Sequence, residues 1–169
     1  GEFTKELSNL LKNSKKTYIA EIKLGYVSDT YDKEGNIIAT NKAIPNIDEI
    51  KKILENFKGV IKQKPPIFSA VKIKGKPAYK LARRGMKIEL PEKEVEVYNI
   101  EILNYDEKNK ILKLKLEVSS GFYVRSFAND LGEKLECGAY LESLKRVQIN
   151  EYKLEEALTF EDIEKDYLE

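Results

Sequence analysis

Two neighbouring stretches in the middle of the chain alternate apolar and polar residues, and they constrain the fold more than any other feature. VEVYNIEILNY (95–105) and ILKLKLEVS (111–119) have the two-residue period of strands with one buried face. Residues 106–110 join them, which predicts a long antiparallel hairpin. TYIAEIKLGYVS (17–28) alternates in part and is rich in residues that favour strands, so it predicts a third strand. We therefore expect a fold built on an antiparallel sheet.

Helical patterns flank these strands. IPNIDEIKKILENFKG (44–59) has apolar residues at helical spacing, with Asn46 as the N-cap and Glu49 three residues further on. The stretch from Tyr123 to about Cys137 predicts a second helix after the hairpin. Together these patterns predict an α+β fold, with a mixed, mainly antiparallel sheet flanked by helices. Shorter elements are predicted as strands at 36–40 and from 139 onwards, and as helices at 3–13, 78–84 and 159–168.

The residue types that are missing limit the chemistry of the chain. It has no histidine and a single cysteine, Cys137, among 169 residues. This composition excludes catalysis by Ser–His–Asp or Cys–His groups, an intrachain disulfide, and a zinc site built on histidine and cysteine. No apolar run is long enough to span a membrane and no signal peptide opens the chain. We therefore expect a cytoplasmic protein without a membrane partner.

Basic and aromatic residues are concentrated between residues 60 and 94. The net charge of the whole chain is only +1, so a nucleic-acid surface would have to come from a local cluster of this kind. We predict that 60–94 forms a small inserted lobe. It is either an ordinary solvated lysine-rich surface or an RNA-binding patch, in which basic side chains contact phosphates and rings stack on bases. The candidate RNA contacts are Lys72, Lys76, Tyr79 and Arg83.

Tyr123 and Arg125 lie two residues apart in SSGFYVRSFANDLG (119–132), where the hairpin passes into the second helix. They are either a buried tyrosine and a surface arginine or two parts of one binding site. Arg125 falls in the first helical turn, where the helix dipole disfavours a cation, so we expect an anionic partner close to it. No acid of the chain is an obvious partner, because Asp130 is predicted on a different face of the helix.

Four stretches of the chain resemble one protein family in order and spacing. They are GEFTKELSNLL (1–11), KKTYIAEIKLGYVSDTYDKEGNI (15–37), QKPPIFSAVKIKGKPAYKLARRG (63–85) and SSGFYVRSFANDLGEKLECGAYLESLKR (119–146). Together they resemble the bacterial tRNA pseudouridine-55 synthases of the TruB family. The resemblance extends from residue 1 to about residue 157.

The resemblance implies an RNA isomerase that converts a uridine of the tRNA T-loop to pseudouridine without a cofactor or metal. The target base is flipped into a pocket, where an aspartate attacks the ribose. Tyr18 matches the tyrosine that stacks on the flipped base and is a candidate general base. Tyr123 matches a pocket tyrosine, Arg125 the arginine that pairs with the catalytic aspartate, and Leu144 an apolar residue of the pocket. The 60–94 lobe matches the insertion that closes over the T-loop.

The chain departs from the family pattern at the nucleophile. In the family the catalytic aspartate lies in a GTLDP-like segment that precedes a GEATK-like stretch, whereas this chain opens on GEFTK and contains no such motif. We therefore expect residues 1–169 to be a partial catalytic domain without a PUA domain, inactive alone and monomeric when completed by its missing N-terminal segment. The alternatives are a non-catalytic RNA-binding or RNA-folding module, and a half-domain that folds only with its missing part.

Overall fold

The computed structural model describes residues 15–66, 72–73, 76–77 and 91–148. These residues form nine strands and two helices. The strands are β1 (Lys16–Leu24), β2 (Tyr26–Ser28), β3 (Ile37–Ala39), β4 (Gly59–Gln63), β5 (Lys72–Ile73), β6 (Lys76–Pro77), β7 (Lys93–Asp106), β8 (Ile111–Val118) and β9 (Ala139–Gln148). The helices are α1 (Ile47–Glu55) and α2 (Val124–Lys134).

The centre of the fold is a five-stranded sheet with the strand order β4-β7-β8-β1-β9. Every neighbouring pair in this sheet is antiparallel. The hairpin predicted from the two alternating stretches is confirmed as β7 and β8, and β1 lies between β8 and β9. The predicted α+β class, with a mainly antiparallel sheet flanked by helices, is therefore confirmed.

The core lies between one face of this sheet and the two helices. The alternating apolar residues of β1, β7 and β8 face inward because a strand points successive side chains to opposite sides. Phe57, just after α1, and Phe127 of α2 meet in an edge-to-face contact with ring centroids 5.2 Å apart. The fully buried side chains include Ile22, Leu24, Ile50, Leu112, Leu114, Leu116, Phe127 and Leu131.

A glycine lets α2 lie directly on the start of β9. A Cβ atom on Gly132 would collide with the backbone nitrogen of Ala139 and would lie 2.5 Å from the carbonyl carbon of Gly138. Backbone atoms cannot yield as a flexible side chain can, so only glycine permits this approach. The contact fixes the axial position of α2, and therefore the position of the side chains at its N-terminal end.

The two predicted helices are present with shifted ends. The Asn46 cap is confirmed, since its Oδ1 accepts a hydrogen bond of 2.9 Å from the Glu49 N–H. Helix α1 ends at Glu55, before the predicted Gly59, because Gly59 already begins β4 with a φ of +101°. Helix α2 ends at Lys134 rather than near residue 137. Among the described residues, neither helix is long and apolar enough to cross a membrane.

Both ends of the predicted 60–94 lobe lie in the central sheet. Strand β4 pairs with the beginning of β7, from Gly59 opposite Val97 to Gln63 opposite Lys93. Residues 64–92 therefore connect two neighbouring strands, and within this connection β5 and β6 pair with each other. The helices predicted at 3–13, 78–84 and 159–168 lie outside the described residues.

Candidate active site

An ion pair lies at the N-terminal end of α2. The Nη1 atom of Arg125 is 3.5 Å from Oδ2 of Asp32, and both side chains are roughly three-quarters buried, with 27% and 22% of their surface exposed. Arg125 is the second residue of the helix, whose first turn contains no acidic residue and whose N-cap, Tyr123, makes no side-chain capping bond. The carboxylate of Asp32 therefore supplies the negative charge that this end of the helix otherwise lacks.

The loop that carries Asp32 is held against β9. Oδ1 of Asp32 accepts hydrogen bonds from the Thr30 hydroxyl at 2.6 Å and from the Glu34 N–H at 3.0 Å, while Oδ2 faces the arginine. The Leu141 N–H donates to the Tyr31 carbonyl at 2.8 Å, and the Leu141 carbonyl accepts from the Lys33 N–H at 3.1 Å. Because both oxygens of Asp32 are engaged, the carboxylate is positioned before any ligand binds.

This ion pair corrects one expectation and confirms another. The helix position of Arg125 predicted an anionic partner, and Asp32 is that partner. The expectation that no acid of the chain pairs with Arg125 was wrong. The two residues are far apart in sequence, and they meet because the Asp32 loop and α2 both lie against β9. The turn around Asp32 had been interpreted only as a connection between strands.

A buried glutamine holds the backbone of Tyr123. Gln63, at the end of β4, is 1% exposed. Its Oε1 accepts from the Tyr123 N–H at 2.9 Å, and its Nε2 donates to the Tyr123 carbonyl at 3.1 Å. In the first turn of the helix, the Ser126 hydroxyl donates to the Lys64 carbonyl at 2.6 Å. The strand that precedes the 64–92 connection is thus joined to the turn that carries Tyr123 and Arg125.

Tyr18 and Leu144 lie on the same face of two neighbouring strands. Tyr18 of β1 is opposite Arg146 of β9, and Ala20 is opposite Leu144. Directly opposite residues of antiparallel strands point to the same side, so Tyr18, Arg146 and Leu144 share the face that the helices cover. Tyr18 and Arg146 are 7% and 5% exposed, and Leu144 is half-buried against the core.

Two family models together match the whole chain. The model of the N-terminal domain of TruB family pseudouridylate synthases matches residues 1–124. The model of the tRNA pseudouridylate synthase B C-terminal domain matches residues 125–169. The chain belongs to the TruB family of pseudouridylate synthases. The boundary between the two matches falls within the first turn of α2, so the Arg125–Asp32 ion pair joins residues from both matched regions.

Curated relatives support the TruB assignment. The chain is 44% identical over 147 residues to tRNA pseudouridine synthase B of Aquifex aeolicus (strain VF5), a match that covers 87% of this chain and 51% of the relative. It is 40% identical over 165 residues to the protein of the same name in Borreliella burgdorferi (strain ZS7), covering 98% and 58%. The protein of the same name in Malacoplasma penetrans (strain HF-2) is 43% identical, covering 96% and 70%. The chain thus spans a little over half the length of the first two of these TruB relatives.

Solved structures support the fold. A chain of a Cbf5–Nop10–Gar1 complex superposes with a TM-score of 0.58 at 23% identity, covering 88% of this TruB chain and 35% of that chain. A chain of an H/ACA RNP bound to a substrate RNA containing 2′-deoxyuridine gives a TM-score of 0.53 at 19% identity, covering 85% and 31%. Both share the fold of this chain.

A cleft of about 670 Å³ adjoins the ion pair of this TruB chain through Tyr31, the residue before Asp32. Burial, and after it the nearby charge of Glu133, raise the pKa of Asp130 in this cleft to about 6. Burial, and then the same two carboxylates, also raise the pKa of Tyr31. The cleft is lined by Tyr31, Ile53, Asn56, Phe57, Ile61, Lys62, Lys64, Glu92, Ser126, Asn129, Asp130, Glu133 and Lys134.

The remaining predicted RNA contacts lie in the 64–92 connection. Lys72 and Lys76 belong to β5 and β6, whereas Tyr79 and Arg83 lie outside the described residues. Within residues 15–66 and 91–148, no three acidic or cysteine side chains come together as a metal site would require. Neither Asp32 nor Gln63 was predicted from the sequence as a site residue. The one signal for Asp32 is that its turn belongs to one of the four stretches that resemble the TruB family, and this does not identify it as the partner of Arg125.

Proposed function

We propose that this chain is the RNA-binding and pocket-forming part of a tRNA pseudouridine synthase, which isomerises the T-loop uridine at position 55. The observation that carries the proposal is the partly buried Arg125–Asp32 ion pair beside Tyr123, in a chain of the TruB family. The reaction replaces the C1′–N1 glycosidic bond by a C1′–C5 bond, with loss of the C5 proton and gain of a proton at N1. Because substrate and product are isomers, the proposal requires no redox partner or group donor.

Arg125 would hold the nucleophile. A guanidinium carries five N–H donors in a planar fork, so it can bind two carboxylates at the same time. We propose that Asp32 fixes one edge of this fork and that a second aspartate, supplied by an upstream segment, binds the other. An arginine at ion-pair distance lowers the pKa of a carboxyl group and keeps it ionised for attack. Asp32 would then be a positioning residue rather than the nucleophile, since both of its oxygens are engaged within the fold.

Tyr18 and Leu144 would form the surface against which the flipped uracil lies. An aromatic ring and an aliphatic side chain on one sheet face suit a flat base, and the low exposure of Tyr18 fits a residue at the floor of a pocket. Tyr123 would contact the nucleotide from the turn that precedes α2. Lys72, Lys76, Tyr79 and Arg83 would contact the T-arm through phosphates and stacked bases.

The activity test compares the chain alone with the chain extended by its upstream segment, on a T-arm hairpin RNA. Pseudouridine is measured by liquid chromatography and mass spectrometry of the digested RNA. We expect no pseudouridine from the 169-residue chain and full conversion by the extended protein. A matched control replaces the aspartate of the upstream segment by asparagine. Turnover by the chain alone would contradict the proposed division of roles, and an inactive extended protein would contradict the proposed activity.

The second candidate function is a non-catalytic RNA-binding or RNA-folding module. The basic and aromatic residues of 60–94 favour it, because they suit phosphate contacts and base stacking without any catalytic group. Under this alternative the chain alone binds the hairpin with a strong salt dependence, and reversing the charges of Lys72, Lys76 and Arg83 abolishes binding. The extended protein would bind the RNA and leave its uridines unchanged. Conversion of the uridine by the extended protein excludes this alternative.

A further inference from the structure

A lysine outside the sites considered so far lies beside Tyr123. Lys93 is the first residue of β7 and is exposed, and its Nζ atom is 5.9 Å from the centroid of the Tyr123 ring. It pairs across the sheet with Gln63, the residue that holds the Tyr123 backbone. Two opposite residues of one strand pair therefore converge on Tyr123, one from inside the fold and one from its surface.

The turn before Tyr123 leaves room for the lysine side chain. Gly121 has a φ of +82°, which other residues rarely adopt. A Cβ atom at this position would collide with Nζ of Lys93 and would lie 2.8 Å from its Cε. The side chain of Lys93 thus lies across the backbone of Gly121, and this places its ammonium group over the Tyr123 ring.

The charge of Lys93 is not neutralised by a carboxylate in the described part of the chain. The salt bridges seen there, such as Lys58 to Glu55 and Arg125 to Asp32, do not involve Lys93. An exposed ammonium group held by an aromatic ring and a glycine turn retains most of its ability to bind an anion. If a nucleotide lies against Tyr123, the anion closest to this ammonium group is a phosphodiester of the same strand.

We propose that Lys93 binds the phosphodiester next to the nucleotide that Tyr123 contacts, and so positions the RNA backbone at the mouth of the pocket. The inference rests on the proposed function and adds one residue to it. Lys93 acts on the position of the substrate, not on the reacting atoms. If Lys93 only packs on Tyr123 and the turn, its substitution should not change how RNA binding depends on the charge of the RNA backbone.

The test measures binding of the extended protein, which includes the upstream segment, to a T-arm hairpin by filter binding over a range of salt concentrations. Lys93→Gln is compared with Lys93→Arg and with Lys110→Gln. Lys110 is a matched control because its Nζ is 5.7 Å from the ring centroid of Tyr26. Lys110 immediately precedes β8, at the far end of the β7–β8 hairpin from Lys93 and roughly 40 Å away along the strands.

We expect Lys93→Gln to reduce the slope of log affinity against log salt by about one, as loss of one phosphate contact should. Lys93→Arg should keep the slope of the wild type, and Lys110→Gln should leave it unchanged. An unchanged slope in Lys93→Gln, or an equal reduction in Lys110→Gln, would overturn the inference and leave the proposed function standing. A wild-type extended protein that does not bind the hairpin at low salt would overturn both.

A second measurement identifies the phosphate. Neutral methylphosphonates replace, one at a time, the linkages on the 5′ and 3′ sides of the target uridine. One of these substitutions should weaken binding to the wild type and have no further effect on Lys93→Gln, because the same contact is already lost. If both substitutions weaken the variant as much as the wild type, Lys93 does not contact either phosphate.

Discussion

The contact between Gln63 and Tyr123 allows the most quantitative prediction. In Gln63→Leu a side chain of similar size remains in the buried site, but both hydrogen bonds to the Tyr123 backbone, of 2.9 and 3.1 Å, are lost. Each bond contributes about 1 kcal/mol net, and a buried backbone group without a partner costs roughly 1–3 kcal/mol. Because Tyr123 is only half-buried, water can replace part of each bond. We therefore expect the free energy of unfolding to fall by about 2–3 kcal/mol.

The assay is urea unfolding followed by circular dichroism, with midpoint and slope fitted separately. Lys62→Leu is the control, since Lys62 is the exposed neighbour of Gln63 on β4 and a surface change of this kind stays within about 0.5 kcal/mol. A loss below about 0.5 kcal/mol in Gln63→Leu would refute the account, because the hydrogen bonds would then contribute nothing to the turn.

Three further changes test other parts of the account. The free energy of unfolding should fall as pH rises from about 4 to 6, since the folded state binds the Asp130 proton more tightly than the unfolded state. Asp130→Asn should remove that fall and stabilise the protein at pH 7 by roughly 1 kcal/mol, after allowance for the partial exposure of the carboxyl group. The measurement is denaturant unfolding over this pH range. Parallel pH profiles of the wild type and the variant would contradict the prediction. Gly132→Ala should destabilise the protein by at least about 2 kcal/mol in the same assay, because the new Cβ meets the backbone of Gly138 and Ala139. Helix propensity alone predicts a gain in stability of about 1 kcal/mol, so the sign of the measured change distinguishes the two effects. Asp32→Asn keeps acceptors for Thr30 and Glu34 but loses its charge, so pseudouridine formation by the extended protein should fall roughly 10-fold or more, with RNA affinity nearly unchanged; equal losses of rate and affinity would contradict a positioning role.

The sequence predicted those elements that depend on local pattern. The β7–β8 hairpin followed from two alternating stretches, and α1 followed from helical spacing and the Asn46 cap. The ends of the elements were less accurate, because a helix end depends on what comes next. Helix α1 ends early since Gly59 already belongs to the sheet. The predicted lobe, 60–94, likewise includes residues at both ends that belong to β4 and β7. The pairing of these two strands cannot be recognised from the sequence of either strand alone.

The candidate site was predictable only where the position of one residue in an element required a particular kind of partner. The first-turn location of Arg125 implied an anionic partner, and the structure confirms that one exists. The identity of the partner was not accessible, because it depends on how the Asp32 loop pairs with Leu141 of β9. Gln63 was missed for a different reason. A glutamine at the end of a strand has no pattern that distinguishes a buried, doubly hydrogen-bonded side chain from a solvated one.

The central claim is that Arg125 acts on the reaction and not on RNA binding. The decisive measurement is single-turnover pseudouridine formation by the extended protein, beside its dissociation constant for the same hairpin RNA, in the wild type and in Arg125→Ala. We predict that the rate falls by roughly 100-fold or more while the dissociation constant changes by less than about 3-fold. The reason is that the proposed partner of Arg125 is the attacking aspartate and not the RNA. Equal losses of rate and affinity would contradict the claim, since Arg125 would then be an RNA contact.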